Sequence, residues 1–301
     1  MATPLDRRDF LLAAGAALTA AAVIPSRTAA AAPKYEISLG QWSFHRALLA
    51  KELDNLDFAR KGADLGFQGL DYVNTFFKDK AGDRAYLTEM KKRSDDAGLV
   101  NDLILVDGAG AIGDPDASAR TQAIDNHKRW VEAAKALGCR GIRINALSKG
   151  TPDEQRQRVI EGARLLTELA DTQGLEILIE NHGGLSSDAA WLDSVVRGVA
   201  HQRCGSLADF GNWRLDNGKW YDRYRGVAEL VPTAKGISVK AHSFDAAGND
   251  TETDFARMMK IVVDGGYRGR FLEIEYEGTE LGETEGTRAA KVLLDRTLAA
   301  L

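Results

Sequence analysis

Four polar residues sit where four apolar runs stop: Glu180 after LEILI, Asp209 after RCGSLA, His242 after GISVKA and Glu275 after RFLEI. They recur 29 to 33 residues apart, and each run is followed by a loop and then a helical pattern. Three carboxylates and one imidazole at the same end of successive parallel strands can converge on one divalent cation. Such a donor set suits Mn2+, Mg2+, Co2+ or Zn2+ rather than a soft metal. Strand side chains alternate between faces, so residues two apart point the same way. Glu176, Leu178 and Glu180 then share a face, as do Lys240 with His242 and Glu273 with Glu275.

The elements that must position these residues alternate along the whole chain. Strand-like runs are predicted at 35–42, 69–73, 100–106, 141–145, 175–180, 204–209, 236–242 and 270–275. Amphipathic helical runs are predicted at 53–65, 85–97, 117–137, 152–173, 187–199, 253–264 and 286–298. The sixth connection, 212–230, is the least regular, with a Trp/Tyr-rich start before a short helix. Thr151-Pro152-Asp153-Glu154 reads as an N-cap, a Pro in the first turn and an acidic first turn. Gly66, Gly98, Gly138 and Gly174 each follow a helical run where a left-handed C-cap is wanted. Eight such units without residues for a second domain predict an α/β fold, a single (β/α)8 TIM barrel. An open doubly wound sheet is the alternative, but SLGQWSFHR lacks the Gly-rich phosphate fingerprint that such a sheet carries after its first strand.

In this architecture reactive groups come from the C-terminal strand ends and the loops after them. His182, two residues beyond Glu180, is a candidate contact to a substrate hydroxyl. Arg143, near the fourth strand end, is a candidate for a substrate oxygen or for a salt bridge lining the core. Trp42, Phe44 and Tyr72 are placed at the first two mouths, where they would wall a substrate or pack the rim. Lys240 and Glu273 read as a buried ion pair one layer below the metal layer, with Lys240 also a candidate substrate contact. His45 is a weaker candidate, while His127 and His201 belong to helical runs and are not expected to bind metal. The loop 107–116 (DGAGAIGDPD) lacks the lysine and spacing of a phosphate loop and reads as rim.

The chain has 301 residues, 44% apolar and 28% charged, with a formal net charge of −5. That balance gives no electrostatic reason to bind nucleic acid or an anionic membrane, and points to a small-molecule partner. Arg7-Arg8-Asp9-Phe10-Leu11-Leu12 opens an Ala-rich apolar stretch that ends in small residues by Ala32. Residues 1–32 therefore read as a twin-arginine export signal and 33–301 as the barrel domain, giving a periplasmic or secreted protein. Cys139 and Cys204 fall near the starts of the fourth and sixth strands, so no disulfide and no thiolate metal site is expected.

The motifs IENHGG (179–184), ADFGN (208–212), KAHSF (240–244) and IEYEG (274–278), with QWSFHR (41–46) and GLDYVN (69–74), resemble the xylose-isomerase-like TIM barrels, the sugar phosphate isomerase/epimerase group. The resemblance spans essentially residues 35–300. It implies that Glu180, Asp209, His242 and Glu275 bind one divalent metal, Mn2+ first, and that Glu180 and Glu275 flank a sugar substrate. It further implies proton abstraction beside a carbonyl through an enediolate, with base and acid roles shared by those two glutamates. Export argues for a non-phosphorylated sugar. A lyase or hydrolase of 3-keto-glycosides, working by β-elimination, is the alternative. An apurinic-site endonuclease is disfavoured by five histidines and a negative net charge, and a non-catalytic sugar-binding protein by the intact set of four residues.

Overall fold

The computed structural model describes residues 35–216 and 218–301. The predicted export segment, residues 1–32, lies outside them. Eight strands run β1 Glu36–Gly40, β2 Gly69–Val73, β3 Val100–Leu105, β4 Gly141–Asn145, β5 Glu176–Glu180, β6 Cys204–Asp209, β7 Ala234–Ala241 and β8 Phe271–Tyr276. Every neighbouring pair is parallel, and β8 returns to β1 to close the barrel. The helices are α1 His45–Leu49, α2 Phe58–Asp64, α3 Arg84–Asp96, α4 Ala117–Leu137, α5 Pro152–Asp171, α6 Ala189–Val199, α7 Arg223–Leu230, α8 Phe255–Asp264 and α9 Glu283–Ala299.

Local sequence explains where these helices begin. Asp83, Asp116, Thr151, Asp188, Asp222 and Asp254 each cap a helix by accepting the backbone N–H three residues on. At Thr151 the cap is reciprocal, since Glu154 reaches back to the Thr151 backbone. The four glycines expected in the helix-to-strand turns all take positive φ, 70° to 77°, which a β-carbon would disfavour. The irregular sixth connection holds an antiparallel bridge between Arg214 and Trp220 before α7 starts.

Two cores follow from strand alternation. The outward faces pack Ile142, Ile144, Ile177, Ile179 and Val239 against helix residues such as Trp130, Leu166 and Leu192. The inward faces bring together Val73, Leu103, Leu105, Leu178 and Leu207. Below that apolar layer a charged floor forms. Arg140 contacts Asp102 at 2.8 Å and Glu176 at 2.7 Å, and Lys235 contacts Glu176 at 2.7 Å. Above it, at the C-terminal strand ends, lies the mouth.

Candidate active site

Register sets which side chains share a level at the mouth. Asn145 pairs with Glu180, Asp209 with Ser238, and Lys240 with Glu275. Glu180 ends β5 and is 2% exposed; Asp209 ends β6 and is fully buried; Glu275 on β8 is 6% exposed. Arg143 Nε lies 2.7 Å from Glu180 Oε2, an ion pair whose atoms are not aligned for a hydrogen bond. The same guanidinium donates to Asp107 Oδ1 at 2.7 Å and to Asn145 at 3.3 Å.

Lys240 holds the middle of the cluster. Its Nζ is 2.8 Å from Glu277, 3.2 Å from Glu275 and 3.5 Å from Asp209. It also donates to Asn212 Oδ1 at 3.2 Å, while Asn212 Nδ2 donates to Glu180 Oε1 at 3.2 Å. Asp209 Oδ1 accepts the backbone N–H groups of Gly211 and Asn212, which folds the β6 loop over the site. Asp107, Arg143, Asn212, Lys240, Glu275 and Glu277, with Trp42, Val73 and His182, line a cavity of about 370 Å³, within the size range of small-molecule sites.

The electrostatics of the two glutamates are unusual. Burial pushes the Glu180 carboxyl up to about 7, against the pull of Arg143. Burial raises Glu275 to about 7 as well, against the pull of Lys240. Asp107 is also buried, yet Arg143 brings it down to about 2. Burial would discharge Lys240, but Asp209, Glu275 and Glu277 hold it positive well above the usual lysine range. Burial and Arg143 lower His182, favouring its neutral ring.

The mouth therefore gathers Glu180, Asp209, Glu275, Arg143, Lys240, His182 and Trp42, as the sequence suggested. Four expectations need correction. His242 does not join the three carboxylates. Strand β7 stops at Ala241, the His242 backbone N–H donates to Asp250 at 2.9 Å, and the ring Nδ1 lies 3.6 Å from Glu252. Lys240 does not pair with Glu273, because the register places Ser238 beside Glu273 and Lys240 beside Glu275; Glu273 lies one level down, where burial and Asp71 raise its carboxyl. Tyr72 is not at the mouth: Asp71 and Val73 take the inward positions, and Tyr72 packs outward on Phe58 and Phe77 with its hydroxyl on Asn101. Phe44 is likewise core, 2% exposed. His45 stacks on Trp42 at the rim.

A divalent ion does not fit the side chains as they stand. Among the described residues no three His, Cys, Asp or Glu groups are arranged to hold one. The space between Asp209 and Glu275 contains the Lys240 ammonium, and the ring of the fourth expected donor, His242, lies beside Glu252. Sequence reasoning also missed Asp107, Asn212 and Glu277. Glu277 was legible by parity, two residues beyond Glu275, and Asp107 by its place just after β3. The role of Asn212 depends on the Asp209 loop and left no signal.

Comparison with known proteins agrees with this architecture. The Xylose isomerase-like TIM barrel model matches residues 59–296. The chain belongs to that family. No curated protein matches it by sequence. Among solved structures, a Xylose isomerase-like TIM barrel protein from Mycobacterium smegmatis in complex with magnesium is 18% identical, with a TM-score of 0.67 over 89% of this chain and 98% of that one. The 3-keto-D-glucoside 4-epimerase from E. coli is 17% identical, with a TM-score of 0.67 over 87% and 100%. An L-ribulose 3-epimerase is 14% identical, with a TM-score of 0.68 over 89% and 95%. At these identities the likeness establishes the shared fold, and the family's neighbours include sugar epimerases.

Proposed function

We propose that this protein is a sugar isomerase or epimerase that moves a proton on the carbon beside a carbonyl. One observation carries the reading: two buried carboxyls stand at about 7 at the mouth, Glu275 lining the cavity with Arg143 and Lys240, and Glu180 held directly behind it by Arg143 and Asn212. A general base works best when its pKa lies near the working pH, and its partner must hold the proton to be returned. One glutamate takes the proton and the other returns it, to the same carbon in an epimerase or to the adjacent one in an isomerase. Arg143 and His182 stand where sugar hydroxyls would be held, and Trp42 offers an apolar wall to a ring face. Membership of the family and its epimerase neighbours support the assignment. The twin-arginine reading of the N-terminus supports export and hence a non-phosphorylated sugar.

A second reading is β-elimination from a 3-keto-glycoside, which begins with the same proton abstraction. It is favoured by the likeness to an enzyme whose substrate is a 3-keto-glucoside. A mass-resolved screen of free and 3-keto sugars in D2O separates the two. Epimerisation or isomerisation conserves the skeleton and exchanges one C–H for C–D, whereas elimination releases an aglycone. Absence of both exchange and release across the panel would overturn the proposal.

A further inference from the structure

We propose that the working cation of this barrel mouth is the Lys240 ammonium, and that the protein carries out its proton transfer without a divalent metal. The inference rests on the proton-transfer reading above and goes beyond it by naming the electrophile. The seat for this side chain is built. Lys240 is 4% exposed and surrounded by oxygens of Asp209, Asn212, Glu275 and Glu277 at 2.8–3.5 Å. Its stem runs over Gly211, where a β-carbon would come within 2.7 Å of Lys240 Cδ. The glycine following the Asp209-Phe210 pair thus leaves room for a lysine, and the next residue, Asn212, ties the ammonium to Glu180. A divalent ion between Asp209 and Glu275 would stand within a few ångströms of a fixed positive charge, a strongly repulsive contact in a buried site. His242, the residue that would complete a metal set, is engaged with the β7 loop instead.

The chemistry balances without a metal. A glutamate removes the proton beside the substrate carbonyl, the C–H electron pair becomes a C=C bond, and the carbonyl π pair moves onto oxygen. The ammonium donates a hydrogen bond to that oxyanion, in the role of an oxyanion-hole donor. Return of a proton to carbon reverses the electron flow, so no oxidant or reductant is consumed.

The test is calorimetric titration of Mn2+ alone into the purified protein, with elemental analysis of the same sample. Wild type is expected to carry no stoichiometric metal and to show no binding below about 1 mM. Lys240→Met, which keeps the stem and removes the charge, should bind Mn2+ roughly 100-fold or more tightly than wild type. On the sugar found by the screen, wild-type turnover should survive EDTA, and Lys240→Met should lose roughly 10²–10³-fold in kcat. One equivalent of Mn2+ bound by wild type at micromolar affinity, or turnover abolished by EDTA, overturns the proposal. The wild-type titration decides this even if the variant fails to fold. It also stands apart from the function: a sugar screen with no turnover defeats the isomerase reading, while metal binding defeats this one.

Discussion

Glu180→Gln should separate catalysis from stability, with opposite signs. In the fold this carboxyl keeps its proton up to about 7, against an ordinary value of 4.5, with the attraction of Arg143 already included. Between those values the folded chain holds a proton that the unfolded chain has released, so stability falls as pH rises. At about 1.4 kcal/mol per pH unit, the ionised Glu180 costs the fold roughly 3 kcal/mol at pH 8 and under about 1 kcal/mol at pH 5. Glutamine keeps the shape, and its carbonyl can still accept from Asn212, but it cannot ionise. Arg143 loses one partner and retains Asp107 at 2.7 Å and Asn145 at 3.3 Å, which limits that loss to about 1 kcal/mol. The net expectation is a gain of about 2 kcal/mol at pH 8, or roughly 5 °C in Tm for a domain of this size, and little change at pH 5. Turnover should be lost at both. Thermal unfolding of wild type and variant at the two pH values reads the difference directly. An equal change at both pH values, or a variant less stable at pH 8 than wild type, would refute the burial argument; retained turnover would remove Glu180 from the mechanism.

Glu180 and Glu275 both stand at about 7, so with one acting as base and the other as acid kcat/KM for C–H exchange should trace a bell against pH with its top near 7; a profile flat from pH 5 to 9 would show that neither titrates in the reaction. Arg140→Met leaves Asp102 and half of the Glu176 pairing uncompensated on the floor, which should cost about 3 kcal/mol in urea unfolding while leaving that pH profile in place. A fall of the same size in kcat/KM, measured where the variant is fully folded, would mean the floor is coupled to the mouth.

The barrel was legible because the units repeat a local phrase, a β-rich run and a polar strand end, with an acidic cap at most helix starts and a glycine after four of the helices. Helix α4 and strands β2, β4 and β6 fall where the sequence places them, since caps and glycines punctuate both sides. The misplacements arise where two residues of suitable chemistry lie two apart on one face. Lys240 and His242 are indistinguishable by parity, and the depth at which β7 stops decides between them. That depth depends on Asp250 capturing the His242 N–H from a loop eight residues away. Tyr72 failed for a different reason: the run GLDYV is apolar around one aspartate, and the inward position of Asp71 fixes the rest. Reading Asp71 as the inward residue would have sent Tyr72 to the helix layer. Asn212 is a loop residue whose two hydrogen bonds join partners 32 and 28 positions away, a relation that no periodicity encodes.

Beneath the mouth, Leu103, Leu105, Leu178 and Leu207 fill the barrel, and the Arg140–Glu176–Lys235 cluster lies below them. The reaction chamber is therefore a blind alley with its doorway at the top. Under the proposed epimerisation, reactant and product differ in configuration at one carbon; they must use that doorway in turn and compete for a single berth, so accumulated product should throttle its own formation well before the mixture reaches equilibrium.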